Sequence, residues 1–281
     1  MMKPCIVIQT DFSTTWSAVS SMKGVMKIVD PTLELIDLSH DIEPFNVWEA
    51  SKNLSYVEPF WPKGTIFVSV VDPGVGTARK ASVALLKNGN YVVSPDNGSL
   101  TYLFHLVGIE EIREIDEKTN RYWQTEEVAV FHGRDLFGYC AAKLASGIIS
   151  FEEVGPKYPV SEIVLCEEYN TKPVLKPNEV DGFISSGFAH FGNITVNVLI
   201  SEFEQCGFKE GDYVNVEIFT DDKVYLNEKV LYAKSFGHVN IGEPLVYNGS
   251  SKYINIACNQ ANFMSKYGVS SGLNWKVRIT K

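Results

Sequence analysis

The fold is decided by the stretch TIFVSVVDPGVG, residues 65–76. Its first seven residues are mainly β-branched or aromatic, and turn-forming residues follow at once from Asp72. A short, nearly continuous apolar run bounded by turn residues is typical of a strand buried on both faces, as in a parallel sheet covered by helices. The stretch therefore predicts an α/β fold with a polar turn at the carboxyl end of a central strand.

The segments on either side alternate between short apolar runs and amphipathic stretches, which is the pattern of a sheet with crossover helices. Up to Val71 the order is βαβαβ, and an Asn-Gly pair then predicts a hairpin. The predicted strands are Cys5–Gln9, Leu33–Leu38, Thr65–Val71, Ala81–Leu86 and Tyr91–Ser94, and the predicted helices are Trp16–Met26, Val47–Val57 and Asp135–Ser146.

The second half of the chain has a different texture. Prolines cluster between Gly155 and Pro177, which predicts a linker or an extended crossing. Beyond it, strand-like alternation dominates, as in Tyr213–Phe219 and Tyr253–Ile256. We therefore predict an N-terminal α/β domain with a central, mostly parallel sheet over residues 1–165, and a C-terminal antiparallel β-barrel domain over residues 166–281.

The composition excludes several classes of protein. A formal net charge of −9 without a Lys or Arg cluster argues against a nucleic-acid partner. No segment approaches the ~20 consecutive apolar residues of a membrane helix, so no membrane is expected. The five cysteines are odd in number and widely spaced, which indicates free thiols. The start, MMKPCIVIQTDF, lacks a secretory cleavage site, and we expect a cytoplasmic protein.

Polar residues that directly follow buried strands are the first candidates for a site, because ligands of open α/β sheets bind outside the carboxyl ends of the strands. Three segments qualify: Thr10–Phe12, Asp72–Gly76 and Ser94–Gly98. Asp followed by Pro or Gly is also ordinary turn chemistry, and Asp11 could instead cap the helix that follows it. A structural role and a functional role both remain open for each segment.

A fourth candidate is His132, which follows an apolar run and lies beside Gly133, Arg134 and Asp135. No Walker loop, complete dinucleotide fingerprint or nucleophile elbow is present. His40 and Asp41 suggest a metal, but no helix carries two ligands at i, i+4 spacing with a third nearby. We predict no metal.

Taken in order, these segments resemble the S-adenosylmethionine hydroxide adenosyltransferases, which are relatives of the fluorinase and chlorinase enzymes. The resemblance spans nearly the whole chain, and the ordered set of motifs is more specific than any one of them. It rests on Thr10–Phe12, Met22–Val25, Leu38–Ile42, Val71–Arg79, Pro95–Gly98, Phe131–Asp135, Phe191–Asn193 with Asn197, and Ser250–Asn259.

The resemblance implies hydrolysis of S-adenosylmethionine to adenosine and methionine, with no cofactor. It also implies a homotrimer whose active sites lie between the N-terminal domain of one subunit and the C-terminal domain of a neighbour. The family's catalytic triad falls on Asp72, Arg79 and His132. The residues expected to bind substrate are Asp11, Phe12, Phe45, Asp96, Asn97, Gly133, Asn193, Ser250, Ser251 and Asn259.

The implied roles agree with simple chemistry. The two oxygens of Asp11 match the vicinal hydroxyls of a ribose, and Phe45 would pack on the nucleoside. Methionine leaves C5′ as a neutral thioether, so the catalytic demand falls on the attacking water. We expect Arg79 and His132 to hold this water while Asp72 orients it or takes its proton, and the sequence leaves the proton acceptor open.

Two departures from the family pattern keep alternatives open. Ser13 and Trp16 stand where a Gly and an Asp are usual, and Phe188, Ala189 and His190 stand where an acidic residue is expected. A non-catalytic nucleoside-binding protein is one alternative. A halide adenosyltransferase is another, although a carboxylate at Asp72 disfavours a halide site.

Overall fold

A buried parallel sheet organises the first of the two units into which the computed structural model divides the chain. The structure describes residues 3–188 and 190–281; the first unit ends at Tyr169 and the second begins at Asn170. The strands of the first unit, β1 to β7, are Ile6–Thr10, Leu35–Ser39, Ile66–Val70, Ala81–Leu86, Tyr91–Pro95, Ile109–Glu114 and Lys157–Tyr158, and its helices, α1 to α5, are Ala18–Val29, Val47–Val57, Thr101–Leu106, Glu117–Asn120 and Tyr139–Ala145.

The sheet has the strand order β2-β1-β3-β5-β4-β6-β7. Strands β2, β1, β3 and β5 pair in parallel, and β4 is antiparallel to both β5 and β6, so five of the seven strands run in one direction. Parallel pairing places the carboxyl ends of β1, β3 and β5 side by side at one edge. The predicted site segments all begin at this edge.

Alternating side chains on the strands build a core on each face of the sheet. In β1, Ile6 and Ile8 pack with Met22 of α1 on one face, whereas Val7 packs with Leu54 of α2 on the other. All five side chains are almost fully buried. The helices on both faces therefore fix the sheet in the layered arrangement that the apolar strands predict.

The second unit is a closed seven-stranded β-barrel. Its strands, β8 to β15, are Val174–Lys176, Glu179–Phe188, Asn193–Leu199, Tyr213–Phe219, Val224–Tyr232, Pro244–Asn248, Tyr253–Cys258 and Gly272–Thr280, and its helices, α6 and α7, are Ile200–Gln205 and Phe263–Tyr267. The order is β10-β14-β13-β12-β11-β15-β9, and β9 pairs with β10 to close the ring, while β8 extends beyond β9. The predicted fold class, a mostly parallel α/β sheet followed by a β-barrel, is confirmed.

The remaining regular segments are single turns. The 3-10 turns are Glu58–Phe60, Trp123–Thr125, Glu152–Val154, Val160–Glu162, Glu167–Asn170 and Phe236–His238. No helix within the described residues has both the length and the apolar character needed to cross a membrane.

Three local predictions differ from the structure. Helix α1 begins at Ala18 rather than Trp16, since the Trp16 indole donates to the carbonyl of Phe12 instead of joining the helix. The predicted helix 135–146 begins with a π-helical turn, Gly133–Gly138, in which the Asp135 carbonyl accepts from the Tyr122 amide at 2.8 Å. The proline-rich stretch after Gly155 includes β7, whose two residues pair with the edge strand β6.

Candidate active site

Two adjoining cavities lie at the carboxyl edge of the first unit's sheet. The larger measures about 310 Å³ and is mainly apolar, and the smaller measures about 230 Å³. Phe12, Trp16 and Asp72 line both cavities, so the two spaces meet along these side chains. The larger cavity is completed by Val70, Val75, Val130, Phe131, His132 and Gly133, and the smaller one by Asp11, Pro44 and Phe45.

Asp72 forms a two-pronged ion pair with Arg79 across the turn that follows β3. Nε of Arg79 donates to Oδ1 and Oδ2 of Asp72 at 2.9 and 3.1 Å, and Nη2 donates to Oδ2 at 2.5 Å. The two side chains are only 5% and 9% exposed. A buried bidentate pair of this kind is strong and fixes orientation. Oδ1 of Asp72 keeps an acceptor site for a further partner, because each carboxylate oxygen has two lone pairs.

His132 lies directly behind this pair. Its Nδ1 is 2.9 Å from Nη2 of Arg79, and the residue is 5% exposed. Burial lowers the pKa of His132 below its usual value of 6.5, and the positive charges of Arg79 and Arg121 lower it further, against smaller opposing effects of Glu117 and Asp72. His132 is therefore a neutral imidazole at neutral pH, and its Nδ1 accepts from Arg79, since a guanidinium only donates.

Arg121 is a neighbour of His132 that sequence reasoning missed. Its Nη1 lies 3.4 Å from Nε2 of His132 and 2.6 Å from Oε2 of Glu117, and Nη2 donates to the carbonyl of Val128. Its side chain is 10% exposed. The sequence offered no signal for it, because Arg121 lies eleven residues before His132 in a stretch without a recognisable motif.

Asp11 follows β1 and faces the smaller cavity. Its Oδ2 accepts a hydrogen bond from the amide of Phe45 at 3.0 Å, and its Oδ1 accepts none from the described residues. Helix α1 begins at Ala18 and is preceded by Ser17, so Asp11 does not cap it. Phe45 has a positive φ of 68° and is 71% exposed, which leaves its ring available at the rim.

Phe12, Gly133 and Trp16 shape the larger cavity. The ring of Phe12 meets that of Phe131 edge-on at 5.8 Å. A Cβ atom on Gly133 would lie 3.0 Å from the Phe12 ring, so only glycine permits this approach without displacement. Trp16 lines both cavities and is 62% exposed. The sequence assigned Trp16 no predicted place in the site, although it marked this residue as a departure from the family pattern.

Asp96 and Asn97 follow β5 at the same edge, but their side chains bond within the fold. Oδ2 of Asp96 accepts from Oη of Tyr158 and Oδ1 accepts from the amide of Val164, both at 2.9 Å. Nδ2 of Asn97 donates to the carbonyl of Val71 at 2.9 Å, which steadies the backbone next to Asp72. Neither residue lines the two cavities.

The predicted residues of the second unit lie at two ends of neighbouring barrel strands. Asn193 begins β10 and Asn259 follows β14, and pairing of Ile194 with Ile256 brings these two ends together. Ser250 and Ser251 lie in the turn between β13 and β14, at the opposite end. Nδ2 of Asn193 donates to Oη of Tyr247 at 3.1 Å, and Nδ2 of Asn259 donates to the carbonyl of Val239 at 2.8 Å.

Of the departures from the family pattern, Phe188 ends β9 and is 53% exposed, whereas Ala189 lies outside the described residues. No group of three or more His, Cys, Asp or Glu side chains within residues 3–188 and 190–281 is arranged to hold a metal ion. His40 instead bridges Oγ1 of Thr10 and Oδ1 of Asp37, both at 2.9 Å. The first unit thus holds a cluster suited to chemistry: the Asp72 carboxylate bound by Arg79, with the neutral imidazole of His132 behind it. A second carboxylate, Asp11, lies along the adjoining cavity.

Comparison with known proteins identifies the family. Residues 6–155 match the model of the SAM hydroxide adenosyltransferase N-terminal domain, and residues 189–276 match that of its C-terminal domain. The chain is 32% identical to the (R)-S-adenosyl-L-methionine hydrolase of Salinispora tropica, over 96% of this chain and 95% of that protein. It is 27% identical to the fluorinase of Actinopolyspora mzabensis, over 99% and 98% of the two chains.

A solved structure agrees with this result. The crystal structure of an uncharacterized conserved protein from Thermotoga maritima is 34% identical and superposes with a TM-score of 0.86, covering 98% of this chain and all of that one. The ordered motifs, the fold and the matched domain models lead to the same conclusion. The chain belongs to the SAM hydroxide adenosyltransferase family.

Proposed function

We propose that the protein hydrolyses S-adenosylmethionine to adenosine and methionine. The observation that carries the proposal is the Asp72–Arg79–His132 cluster beside a cavity that adjoins a second one lined by Asp11. The relatives named (R)-S-adenosyl-L-methionine hydrolase support it. The reaction needs no cofactor, because the sulfonium group is already an activated leaving group.

The smaller cavity would bind the nucleoside. Asp11 would accept hydrogen bonds from both ribose hydroxyls through Oδ1 and the remaining lone pair of Oδ2. The exposed ring of Phe45 would pack on the nucleoside, and Phe12 would separate it from the larger cavity. This arrangement would direct C5′ toward Asp72, which lines both cavities.

The chemical step is a displacement at C5′. The oxygen of a water molecule forms a bond to C5′ while the C5′–S bond breaks. The electron pair of the broken C5′–S bond goes to sulfur, which gives neutral methionine. The water loses one proton, which leaves the site with the products. Arg79 would stabilise the developing hydroxide character of the water, and fixed placement of the water would supply much of the rate acceleration.

Asp72 is the proposed proton acceptor. The Nδ1 lone pair of His132 is occupied by Arg79, so a neutral His132 carries its proton on Nε2 and has no free basic nitrogen. Oδ1 of Asp72 accepts one hydrogen bond from the described residues and can accept another. His132 would then hold Arg79 in place rather than act as the base.

The direct test is a product assay. Purified protein is incubated with S-adenosylmethionine in buffers with and without chloride, and the products are separated by chromatography. Adenosine and methionine in equal amounts are expected in both buffers. Retention of S-adenosylmethionine without products would instead identify a non-catalytic binding protein, and 5′-chloro-5′-deoxyadenosine would identify a halide adenosyltransferase. Either result contradicts the proposal.

The second unit would contribute the rest of the site from a neighbouring subunit. We propose a cytoplasmic homotrimer in which Asn193 and Asn259 contact adenosine while Ser250 and Ser251 contact methionine. Asn193 and Asn259 lie at one end of β14 and Ser250 and Ser251 at the other, so the two pairs would contact different parts of the ligand. No nucleic acid or membrane takes part in this scheme.

Mixed trimers test this arrangement. Asp72→Asn and Asn193→Ala variants are purified separately, then unfolded and refolded together in equal amounts. If each site uses residues of two subunits, about a third of the sites in mixed trimers, and so about a quarter of all sites, regain both intact parts, and activity returns. A monomer by light scattering, or no recovery from two active-site variants that each refold to trimers, would refute the shared site.

A further inference from the structure

We propose that Arg121 is a positioning residue for the proposed hydrolysis: its charge keeps His132 unprotonated at Nδ1, and so keeps Arg79 on Asp72. The inference deepens the function proposed above and rests on it. It assigns a task to a buried arginine that lies outside the catalytic triad and outside every motif of the sequence.

The geometry places His132 between two guanidinium groups. Nη2 of Arg79 lies 2.9 Å from Nδ1, and Nη1 of Arg121 lies 3.4 Å from Nε2, on the other side of the ring. Both arginine side chains are at most 10% exposed. Two buried cations therefore face the two nitrogens of one imidazole, which is an expensive arrangement for a charged ring.

This arrangement disfavours the charged form of His132. An imidazolium would direct an N–H group at each guanidinium, donor against donor and charge against charge. The neutral ring avoids this at Nδ1, which accepts the short bond from Arg79. Protonation of Nδ1 would break that bond and repel Arg79, whose other side-chain hydrogen bonds among the described residues are with Asp72. The charge state of His132 thus decides whether the catalytic pair stays in place.

Arg121 is itself firmly held. The Glu117 carboxylate lies 2.6 Å from its Nη1, Nη2 donates to the carbonyl of Val128, and the Tyr122 amide donates to Asp135 in the π-helical turn after His132. Its buried Nε has no hydrogen-bond partner among the described residues. A buried donor without a partner lowers stability. Hydrogen bonding alone therefore does not account for the burial of the Arg121 side chain.

The charges around His132 make the effect directional. Arg79 and Arg121 disfavour its protonation, whereas Glu117 and Asp72 favour it. The effects of burial and of the two arginines are larger than those of the two carboxylates, so the pKa of His132 is lowered from 6.5. Activity should therefore be lost on the acid side as His132 protonates, and the position of that acid limb should follow the charge at position 121.

The test uses substitutions of opposite sign. Arg121→Gln removes a repelling charge and should raise the pKa of His132, which moves the acid limb of kcat upward by roughly one pH unit. Glu117→Gln removes an attracting charge and should move the limb downward, by less because Glu117 is 48% exposed on its side chain. Arg121→Lys keeps the charge and should restore most of the wild-type profile.

The pKa of His132 is measured independently by NMR titration of the imidazole without substrate. The chain has five histidines, and His132→Gln assigns the signal. Arg113→Gln is the matched control, since Arg113 is also an arginine with little side-chain exposure, 14%, and pairs with a glutamate, Glu111, but is not among the groups that shift the pKa of His132. Its replacement should leave the His132 titration unchanged.

The outcomes separate the two proposals. If Arg121→Gln leaves the His132 titration where it is in the wild type, or if Arg121→Gln and Glu117→Gln shift it in the same direction, the role of Arg121 is refuted. If the titration shifts as expected but the acid limb of turnover does not follow, the role of His132 in the proposed reaction fails instead. A purely structural role of Arg121 would lower stability without moving either pH profile.

Discussion

Asp72 and Asp96 begin from the same local pattern and end in different surroundings. Each follows the carboxyl end of a neighbouring parallel strand, β3 or β5, and each is buried. Asp72 lines both cavities and pairs with the charged Arg79. Asp96 bonds to the neutral Tyr158 hydroxyl and the Val164 amide, and lines neither cavity.

The difference teaches that the role of a carboxylate at a strand end depends on whether another segment of the chain packs over it. Residues 158–164 pass over the end of β5 and occupy both oxygens of Asp96. No equivalent segment of the described residues covers the end of β3, where the turn returns Arg79 to the carboxylate and leaves one face open to the cavities. Burial raises the pKa of Asp96, since it lacks a directly bonded cation.

The largest expected effect belongs to Asp72. Asp72→Asn removes the proposed proton acceptor, so kcat should fall by about 10²- to 10⁴-fold while the affinity for S-adenosylmethionine changes little. Steady-state kinetics and a binding titration measure the two effects. Asp181→Asn is the matched control, because Asp181 also pairs with an arginine, Arg278, but in the barrel. Unchanged turnover in Asp72→Asn would remove the carboxylate from the mechanism.

Gly98, two residues after Asp96, should matter for stability. It has a φ of +110°, and an added Cβ would lie 2.6 Å from Sγ of Cys166. Gly98→Ala should therefore lower the free energy of unfolding by about 2–4 kcal/mol through backbone strain and overpacking. Gly64→Ala is the control, since Gly64 has a φ of +94° and no atom within 4 Å of the added Cβ. Equal losses in urea denaturation would show that the contact of Gly98 with Cys166 is not tight.

Asp96→Asn should act on stability in a pH-dependent way. Since burial raises the folded-state pKa of Asp96 above 3.8, its stabilising contribution is complete below that pH and is lost as the pH rises through the raised pKa. The asparagine does not titrate. The substitution should therefore lower the free energy of unfolding by about 1–3 kcal/mol near pH 4 and by less at pH 7. Urea denaturation at both pH values measures this.

The same variant also examines the role that the sequence predicts for Asp96 in substrate binding. A large rise in KM for S-adenosylmethionine with unchanged stability would support that role and break the contrast with Asp72. A loss of stability with KM nearly unchanged would sharpen the contrast.

The smallest expected effect is that of Gly133→Ala. The new methyl group would lie 3.0 Å from the Phe12 ring and 3.5 Å from Val70, so the ring must shift by a few tenths of an ångström into the cavity. We expect a loss of kcat/KM of about tenfold, since small misplacements at a reacting centre are costly. Gly24→Ala meets no atom within 4 Å and should have no effect on kinetics. A Gly133→Ala enzyme with wild-type kinetics would show that the cavity wall is not critical there.

Much of the fold could be predicted from the sequence. The buried strands, helix α2 over Val47–Val57 and barrel strand β11 over Tyr213–Phe219 follow from hydrophobic periodicity, which is a local property. Element ends were less accessible. Trp16 has helical spacing, but its side-chain hydrogen bond to the Phe12 carbonyl keeps it outside α1.

The sequence by itself determined the layered α/β sheet, the barrel and the set of polar residues at the carboxyl ends of the strands, because these depend on local apolar patterns and on the direction of parallel strands. Only the tertiary structure decided which of these residues share a cavity. It brought Asp72, Arg79 and His132 together and placed Arg121 beside His132. It also directed the carboxylate of Asp96 to hydrogen bonds with Tyr158 and Val164. Such contacts join residues far apart in the chain, and their energies depend on distance and burial, which no local pattern encodes.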